Sequence, residues 1–150
     1  MIDLYDLYQE LILDHNRRPR NRRKLEDPNC QAEGYNPLCG DRVTVYLKIE
    51  DSVVTEATFD GSGCAISTAS ASLMTESVKG KSLEDAKALF RKFHGMLTGQ
   101  SVETVDGPDL GKLEVFSGVC RFPARVKCAT LAWHTANAAW EKRETVVSTE

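Results

Sequence analysis

A chain of 150 residues is the size of one ordinary domain, long enough to bury a core without disulfide staples. Hydrophobic residues make up 41% and charged residues 27%, a globular balance that excludes a disordered or membrane-embedded chain. The net charge of −3 gives no overall pull toward nucleic acid, and no apolar run reaches the length of a membrane span.

Asp3, Asp6 and Glu10 interrupt the stretch where a secretory signal would need unbroken apolar residues. The expected compartment is therefore the cytoplasm, where thiols stay reduced. Five cysteines in such a compartment point to metal binding or reactive thiols rather than a disulfide framework. A single domain over 1–150 is expected, with a polar tail from about 144.

From Asp3 to about Asn16, Leu4, Leu7, Tyr8, Leu11 and Ile12 recur at helical spacing, with Asp3 as the expected N-cap. Pro19 stops this helix inside a basic cluster over 17–24. That cluster reads either as a docking patch for an acidic partner or as a solvated turn whose cations favour the helix C-terminus. Residues 25–40, rich in Pro, Asn, Gly and Asp, read as loop. Val43, Val45, Leu47 and Ile49 then alternate with polar or amphipathic residues, predicting a strand with one buried face. Asp51-Ser52 predicts the turn of an antiparallel hairpin, and Val53 to Asp60 its second strand. If the first strand extends back far enough, alternation puts Cys39 and Asp41 on the same side.

Ala65 to Lys79 predicts a helix with Ile66, Ala69, Leu73, Met74 and Val78 on one face, ended by Gly80. Ser82 to Asp85 resembles a capping box opening another helix through Leu89, Phe90 and Phe93. Residues 98–112 read as a surface excursion, and Phe116 to Phe122 is ambiguous. A final helix is expected from about Pro123 to Arg143, with Ala129, Ala132, Ala136 and Ala139 permitting close packing. The sum is an α+β domain, a small antiparallel sheet packed against several helices.

Cys39, Cys64 and Cys128, with Asp41 two residues after the first, are the residue types of a tetrahedral zinc site. Cys64 follows Gly61-Ser62-Gly63 and opens a helix, where unpaired N–H groups favour a thiolate. Cys128 falls in the first turns of the last helix. Arg125 lies three residues before it, either a cation tuning the thiols or an ordinary surface residue. The wide spacing matches no short C-x-x-C motif, so a metal site and scattered core cysteines both remain open. Cys30 and Cys120 read as ordinary reduced cysteines. His94 and His134 sit within helical patterns, and His15 reads as a cation at a helix end. Trp133 and Trp140 read as packing on one helix face.

Asn36-Pro37-Leu38-Cys39-Gly40-Asp41, Gly61-Ser62-Gly63-Cys64-Ala65-Ile66-Ser67 and Lys127-Cys128 resemble the SufU branch of the IscU/NifU-N-like family, from the opening helix to Trp140. The resemblance implies a zinc-dependent sulfurtransferase for iron–sulfur cluster assembly. Its metal ligands would be Cys39, Asp41, Cys64 and Cys128, with Cys39 as the acceptor. The implied partners are a cysteine desulfurase of the SufS type and downstream iron–sulfur assembly proteins. A desulfurase histidine would take the zinc position that Cys39 vacates. The IscU branch implies the alternative of a scaffold holding a transient iron–sulfur cluster. That branch has a histidine where this chain has Lys127, which at neutral pH offers no lone pair to a metal. The longer stretch between Cys64 and Cys128, with an insertion around 95–118, also matches SufU. Arg125 is expected to steady the detached thiolate or the new persulfide.

Overall fold

The computed structural model describes residues 4–99, 107–142 and 146–148. Helix α1 spans Leu4–Arg17; the expected cap at Asp3 lies outside the described residues. Three strands follow, β1 (Cys30–Asn36), β2 (Asp41–Glu50) and β3 (Val53–Ser62). Then come α2 (Ala65–Val78), α3 (Leu83–Thr98), a run of 3₁₀ turns over Gly111–Arg121, α4 (Pro123–Trp140) and β4 (Val147–Ser148). The strand order is β3-β2-β1-β4, antiparallel except for the parallel β1–β4 pair. The sheet is therefore mixed, and the fold is α+β as expected.

The predicted hairpin is present. Glu50 pairs with Val53 across a two-residue turn in which Asp51 and Ser52 have φ of 52° and 62°. Two left-handed residues match the right-handed twist of the flanking strands, and Asp and Ser tolerate that conformation through local hydrogen bonding.

β1 corrects the expected loop over residues 25–40. Its inward residues are Cys30, Ala32, Gly34 and Asn36, all buried, alternating with Gln31, Glu33 and Tyr35. The period is two, but the inward side chains are small or polar and lack the β-branched bulk that signals a strand. Smallness has a structural use. A Cβ at Gly34 would land on Thr135 Oγ1 of α4, so glycine lets the last helix lie directly on β1. The polar tail also gains structure: Val147 and Ser148 pair with Gly34 and Tyr35.

α4 lies across β1 and β2, while α2 packs beside it over β3 and carries α1 on its other side. Both helices are buried over most of their circumference. Ala129, Ala132, Ala136 and Ala139 are all inside, as are Ala69, Leu73, Met74 and Val78. Ile66, expected on the same face, is half-buried at the edge. Ser82 caps α3 by accepting the Asp85 N–H at 3.1 Å, and Gly99 ends it with φ of 77°. Trp133 stacks on Phe93 with ring centroids 4.9 Å apart, and Trp140 meets Phe90 edge-on. Leu113, Val115 and Phe116 of the 3₁₀ run are buried; the ambiguous segment is 3₁₀ up to Arg121 and, beyond Phe116, lies at the surface. α4 ends at Trp140, short of the expected Arg143, with a turn at Glu141 and Lys142; the excursion expected over 98–112 falls partly outside the described residues.

Two charged features differ from their expected roles. His15 is buried rather than a solvated cation: Nδ1 accepts from the Ser72 hydroxyl at 2.7 Å and Nε2 faces Glu76 at 3.5 Å. Ser72 itself accepts the Arg20 N–H, so its hydroxyl proton goes to His15. Burial, and then the Arg20 charge, push the His15 pKa down and keep the ring neutral. In the basic cluster, Arg20 pairs with Asp14, Arg23 with Glu56, and Arg22 donates to the Gly61 carbonyl. These three cations tie the loop to its own fold.

Candidate metal centre

Three connections meet at one end of the sheet: the β1–β2 turn, the β3–α2 link and the first turns of α4. The first is a four-residue turn, Pro37 to Gly40, between the directly paired Asn36 and Asp41. It closes with the Gly40 N–H donating to the Asn36 carbonyl at 2.8 Å, and Gly40 takes φ of 72°. Every residue of this turn is exposed, including Leu38 and Cys39. Cys39 thus sits in the turn rather than in the strand, so strand alternation does not bring it beside Asp41. The turn does.

Cys39 Sγ, a carboxylate oxygen of Asp41 and Cys128 Sγ all lie within 4.8 Å of one another. The Cys39 and Cys128 sulfurs are 3.4 Å apart. Two thiolates on one tetrahedral zinc stand about 3.8 Å apart, from the usual Zn–S length of about 2.3 Å, so this separation suits shared ligation. Asp41 and Cys128 are fully buried, whereas Cys39 is exposed.

Cys64 stands at the rim of this triangle. It is the N-cap of α2, half-buried, with Sγ accepting the Ser67 N–H at 3.5 Å. It also belongs to the thiol network: burial first, then hydrogen bonding with Cys39, Asp41 and Cys64, push the Cys128 pKa far up. The Cys128 thiol therefore keeps its proton until a cation arrives, and a divalent ion would reverse that preference by stabilising the thiolate.

Asp41 is held at both oxygens. Oδ1 accepts the Cys64 N–H at 2.8 Å and Oδ2 accepts from Asn36 Nδ2 at 3.0 Å. Among the described residues no cation pairs with this buried carboxylate. Three thiols, one carboxylate and no charge to balance them form a donor set that fits a zinc ion. Gly63 makes the approach possible, since a Cβ there would stand 2.7 Å from Asp41 Oδ1.

Arg125 lies in the first turn of α4, exposed, with no ion pair among the described residues. It lines a groove of about 980 Å³ with Ile12 and Leu13 of α1, Ile66 of α2, and Val119 and Phe122. The groove runs past Ala65, next to Cys64, and its rim carries the exposed side chains of Leu13 and Phe122. Cys30 is an inward core residue of β1 whose thiol pKa is raised by burial, and Cys120 is an exposed residue of the 3₁₀ run. Neither joins the cluster. His94 and His134 meet edge-on, His134 meets Phe90 the same way, and neither histidine is among the grouped ligand atoms.

The model of the NifU-like N-terminal domain matches residues 7–129. The chain belongs to this family. It is 42% identical over 142 residues to the zinc-dependent sulfurtransferase SufU of Bacillus subtilis, covering 95% of each chain. It is also 43% identical over 136 residues to the iron–sulfur cluster assembly scaffold protein IscU of Thermotoga maritima, covering 91% of this chain and 94% of that one. Among solved structures, FiSufU of Fervidobacterium islandicum, named as a candidate iron–sulfur cluster assembly scaffold protein for the SUF system, superposes with a TM-score of 0.80 at 32% identity, covering 91% of this chain and 98% of that one. The NifU-like N-terminal domain of Brucella abortus gives 0.79 at 27% identity, with coverage of 91% and 94%. The mixed sheet and its helices are thus those of a NifU-like domain.

Two residues of this NifU-like domain carry roles that the sequence did not announce. Asn36 is fully buried beside Asp41 and Cys128, and Gly63 gives the carboxylate its space. A signal was available for the first: an asparagine at an inward position of an alternating strand needs a polar partner. It stays hidden because the composition of residues 25–40 reads as loop.

Proposed function

We propose that this NifU-like domain is a zinc-dependent sulfurtransferase in iron–sulfur cluster assembly. Its sulfur donor would be the persulfide of a SufS-type cysteine desulfurase, and its acceptors downstream assembly proteins. The observation that carries the reading is the contrast within the cluster: Cys39 is exposed in a turn, while Asp41 and Cys128 are buried. One thiol can meet a partner while the others stay in place.

Cys39, Asp41, Cys64 and Cys128 would hold the metal. Zinc bound there would keep the thiols deprotonated without oxidising them, since it has no redox chemistry. The Cys39 thiolate attacks the outer sulfur of the desulfurase persulfide. A new S–S bond forms at Cys39 as the partner's S–S bond breaks, and the partner cysteine leaves as thiolate. The outer sulfur moves with its proton and keeps its oxidation state, one S–S bond replacing another, so no external oxidant is required. Arg125, free of an ion pair among the described residues, would steady the anionic sulfur once Cys39 has swung outward. The apolar groove beside it offers a surface against which the desulfurase can settle.

A second reading is favoured by the near-equal identity to the Thermotoga scaffold. In it the same thiols would receive iron and sulfur as cargo and pass on an assembled cluster. Lys127 in place of a histidine donor weighs toward sulfur transfer. The experiment that separates them measures zinc and iron in the purified protein, then desulfurase turnover with and without it. Tight zinc and strong stimulation, abolished in Cys39→Ala and weakened in Arg125→Ala, support sulfur transfer. No stimulation, together with an intact cluster moving to an apo-acceptor, supports the scaffold. Unchanged transfer by Arg125→Ala removes that residue from the mechanism.

A further inference from the structure

Asn36 ends β1, fully buried, and touches three parts of the centre at once. Its Nδ2 donates to Asp41 Oδ2 at 3.0 Å and to Cys128 Sγ at 3.5 Å. An amide NH₂ carries two hydrogens, so one group serves both acceptors. Its main-chain carbonyl accepts the Gly40 N–H, closing the turn that bears Cys39. The side-chain carbonyl, Oδ1, is buried with no hydrogen-bond partner among the described residues. Leaving such a buried acceptor unpaired is costly, because its lost hydration is not replaced. A residue that bears this cost to deliver both amide hydrogens to two candidate ligands is placed for what those ligands do. The reverse amide orientation would set an oxygen against a carboxylate and a sulfur, which is repulsive.

We infer that Asn36 is the positioning residue of the metal centre: it clamps Asp41 and Cys128 as a fixed pair and leaves Cys39 as the ligand free to move. The inference rests on the proposed zinc site but adds a division of labour within it. Asp41 and Cys128 come from β2 and α4, elements remote in the chain, and the Asn36 amide donates to a ligating atom of each. Cys39, by contrast, receives no hydrogen bond from the amide among the described residues; its sulfur is hydrogen-bonded to the Cys128 sulfur. Hydrogen bonds to ligand atoms orient them and tune their donor strength, and losing such a partner typically weakens metal binding about 10–100-fold. An N–H donated to a sulfur also draws electron density from it, so its loss shifts the sulfur-to-metal charge-transfer band. A residue that mattered only for packing would leave that band unmoved.

The test uses Co²⁺ as a spectroscopic substitute for zinc in the full chain, with Asn36→Ala and Asn36→Ser beside the wild type. Alanine removes both donors; serine keeps one short donor and guards against a variant that fails to fold. The expected result is Co²⁺ affinity falling about 10–100-fold in the alanine variant and less in the serine variant, with a shifted charge-transfer band in both. The gain in melting temperature on saturation with zinc should shrink in the same order, because a tenfold loss of affinity removes about 1.4 kcal/mol of linked stability. Wild-type affinity and an unmoved band in the alanine or the serine variant overturn the inference while leaving the zinc site standing. A wild-type chain that takes up neither Co²⁺ nor zinc overturns both, because no ligand pair is then left to clamp.

Discussion

Gly63→Ala is a small change with a consequence confined to the candidate centre. The glycine's backbone needs no left-handed conformation, so alanine meets no strain of its own there. Its Cβ, however, would stand 2.7 Å from Asp41 Oδ1 and 3.2 Å from Asp41 Cβ and Cγ. That is roughly 0.5–1 Å inside comfortable contact. Asp41 has nowhere to withdraw: it is fully buried, Oδ1 is bound to the Cys64 N–H and Oδ2 to Asn36. Either the carboxylate gives up these bonds or the Gly63–Cys64 backbone shifts, which moves the Cys64 cap. Overpacking of this kind costs about 1–3 kcal/mol. For a domain of this size that lowers the melting temperature by roughly 2–12 °C. Zinc affinity should fall about 10–100-fold, as for other losses of ligand support. Thermal melts of the metal-free protein and competition against a chromophoric chelator measure the two effects. Gly118→Ala is the control, since a Cβ there meets nothing within 4 Å and the change should be neutral or slightly stabilising. A Gly63→Ala protein with wild-type melting and wild-type zinc affinity would refute the packing argument.

Gly34→Ala should destabilise the protein by about 1–3 kcal/mol, because its Cβ lands on Thr135 Oγ1. Adding Thr135→Ala should recover part of that loss, giving a coupling of about 1 kcal/mol or more in a double-mutant cycle by denaturant unfolding. Additive effects would mean that β1 and α4 are not in the close contact described. His15 sets a pH dependence. Its folded pKa lies below the unfolded value of about 6.5, so the unfolded chain takes up the proton first as pH falls. Stability from the neutral ring is complete above about pH 6.5 and declines from there down to the folded pKa. His15→Gln should therefore lose less stability than the wild type between pH 7.5 and 5 in urea melts. The difference between the two proteins isolates His15, because the half-buried His134 is shifted the same way and contributes to both. Equal slopes would place His15 in solvent.

The elements with strong side-chain periodicity were legible in the sequence: the β2–β3 hairpin, α2, α3 and α4 stand within a few residues of their expected bounds. Capping chemistry helped, as Ser82 and Gly99 show. β1 was hidden because its inward face is Cys, Ala, Gly and Asn, chosen for the closeness of α4 and the polarity of the centre rather than for bulk. β4 was hidden because two residues pairing with a distant strand leave no local pattern. At the centre, residue types and family motif pointed to Cys39, Asp41, Cys64 and Cys128. Three of these four meet in one cluster, with Cys64 at its rim. Asn36 and Gly63 were invisible as support because their roles are relations across the fold. One spans a gap between β2 and α4, and the other leaves room for a side chain more than twenty residues earlier. His15 misled for a similar reason. A histidine near a helix end reads as a cation until α2 is seen to bury it.

The central claim is that Cys39 is the thiol that leaves the cluster to accept sulfur. Its most direct measurement is mass-spectrometric mapping of the zinc-loaded protein after reaction with a cysteine desulfurase and cysteine, with alkylation to trap persulfides. A gain of one sulfur on the Cys39 peptide is expected, with Cys64 and Cys128 unmodified and no transfer to a Cys39→Ala protein. Persulfide on Cys64, Cys128 or Cys120 with Cys39 untouched would contradict it.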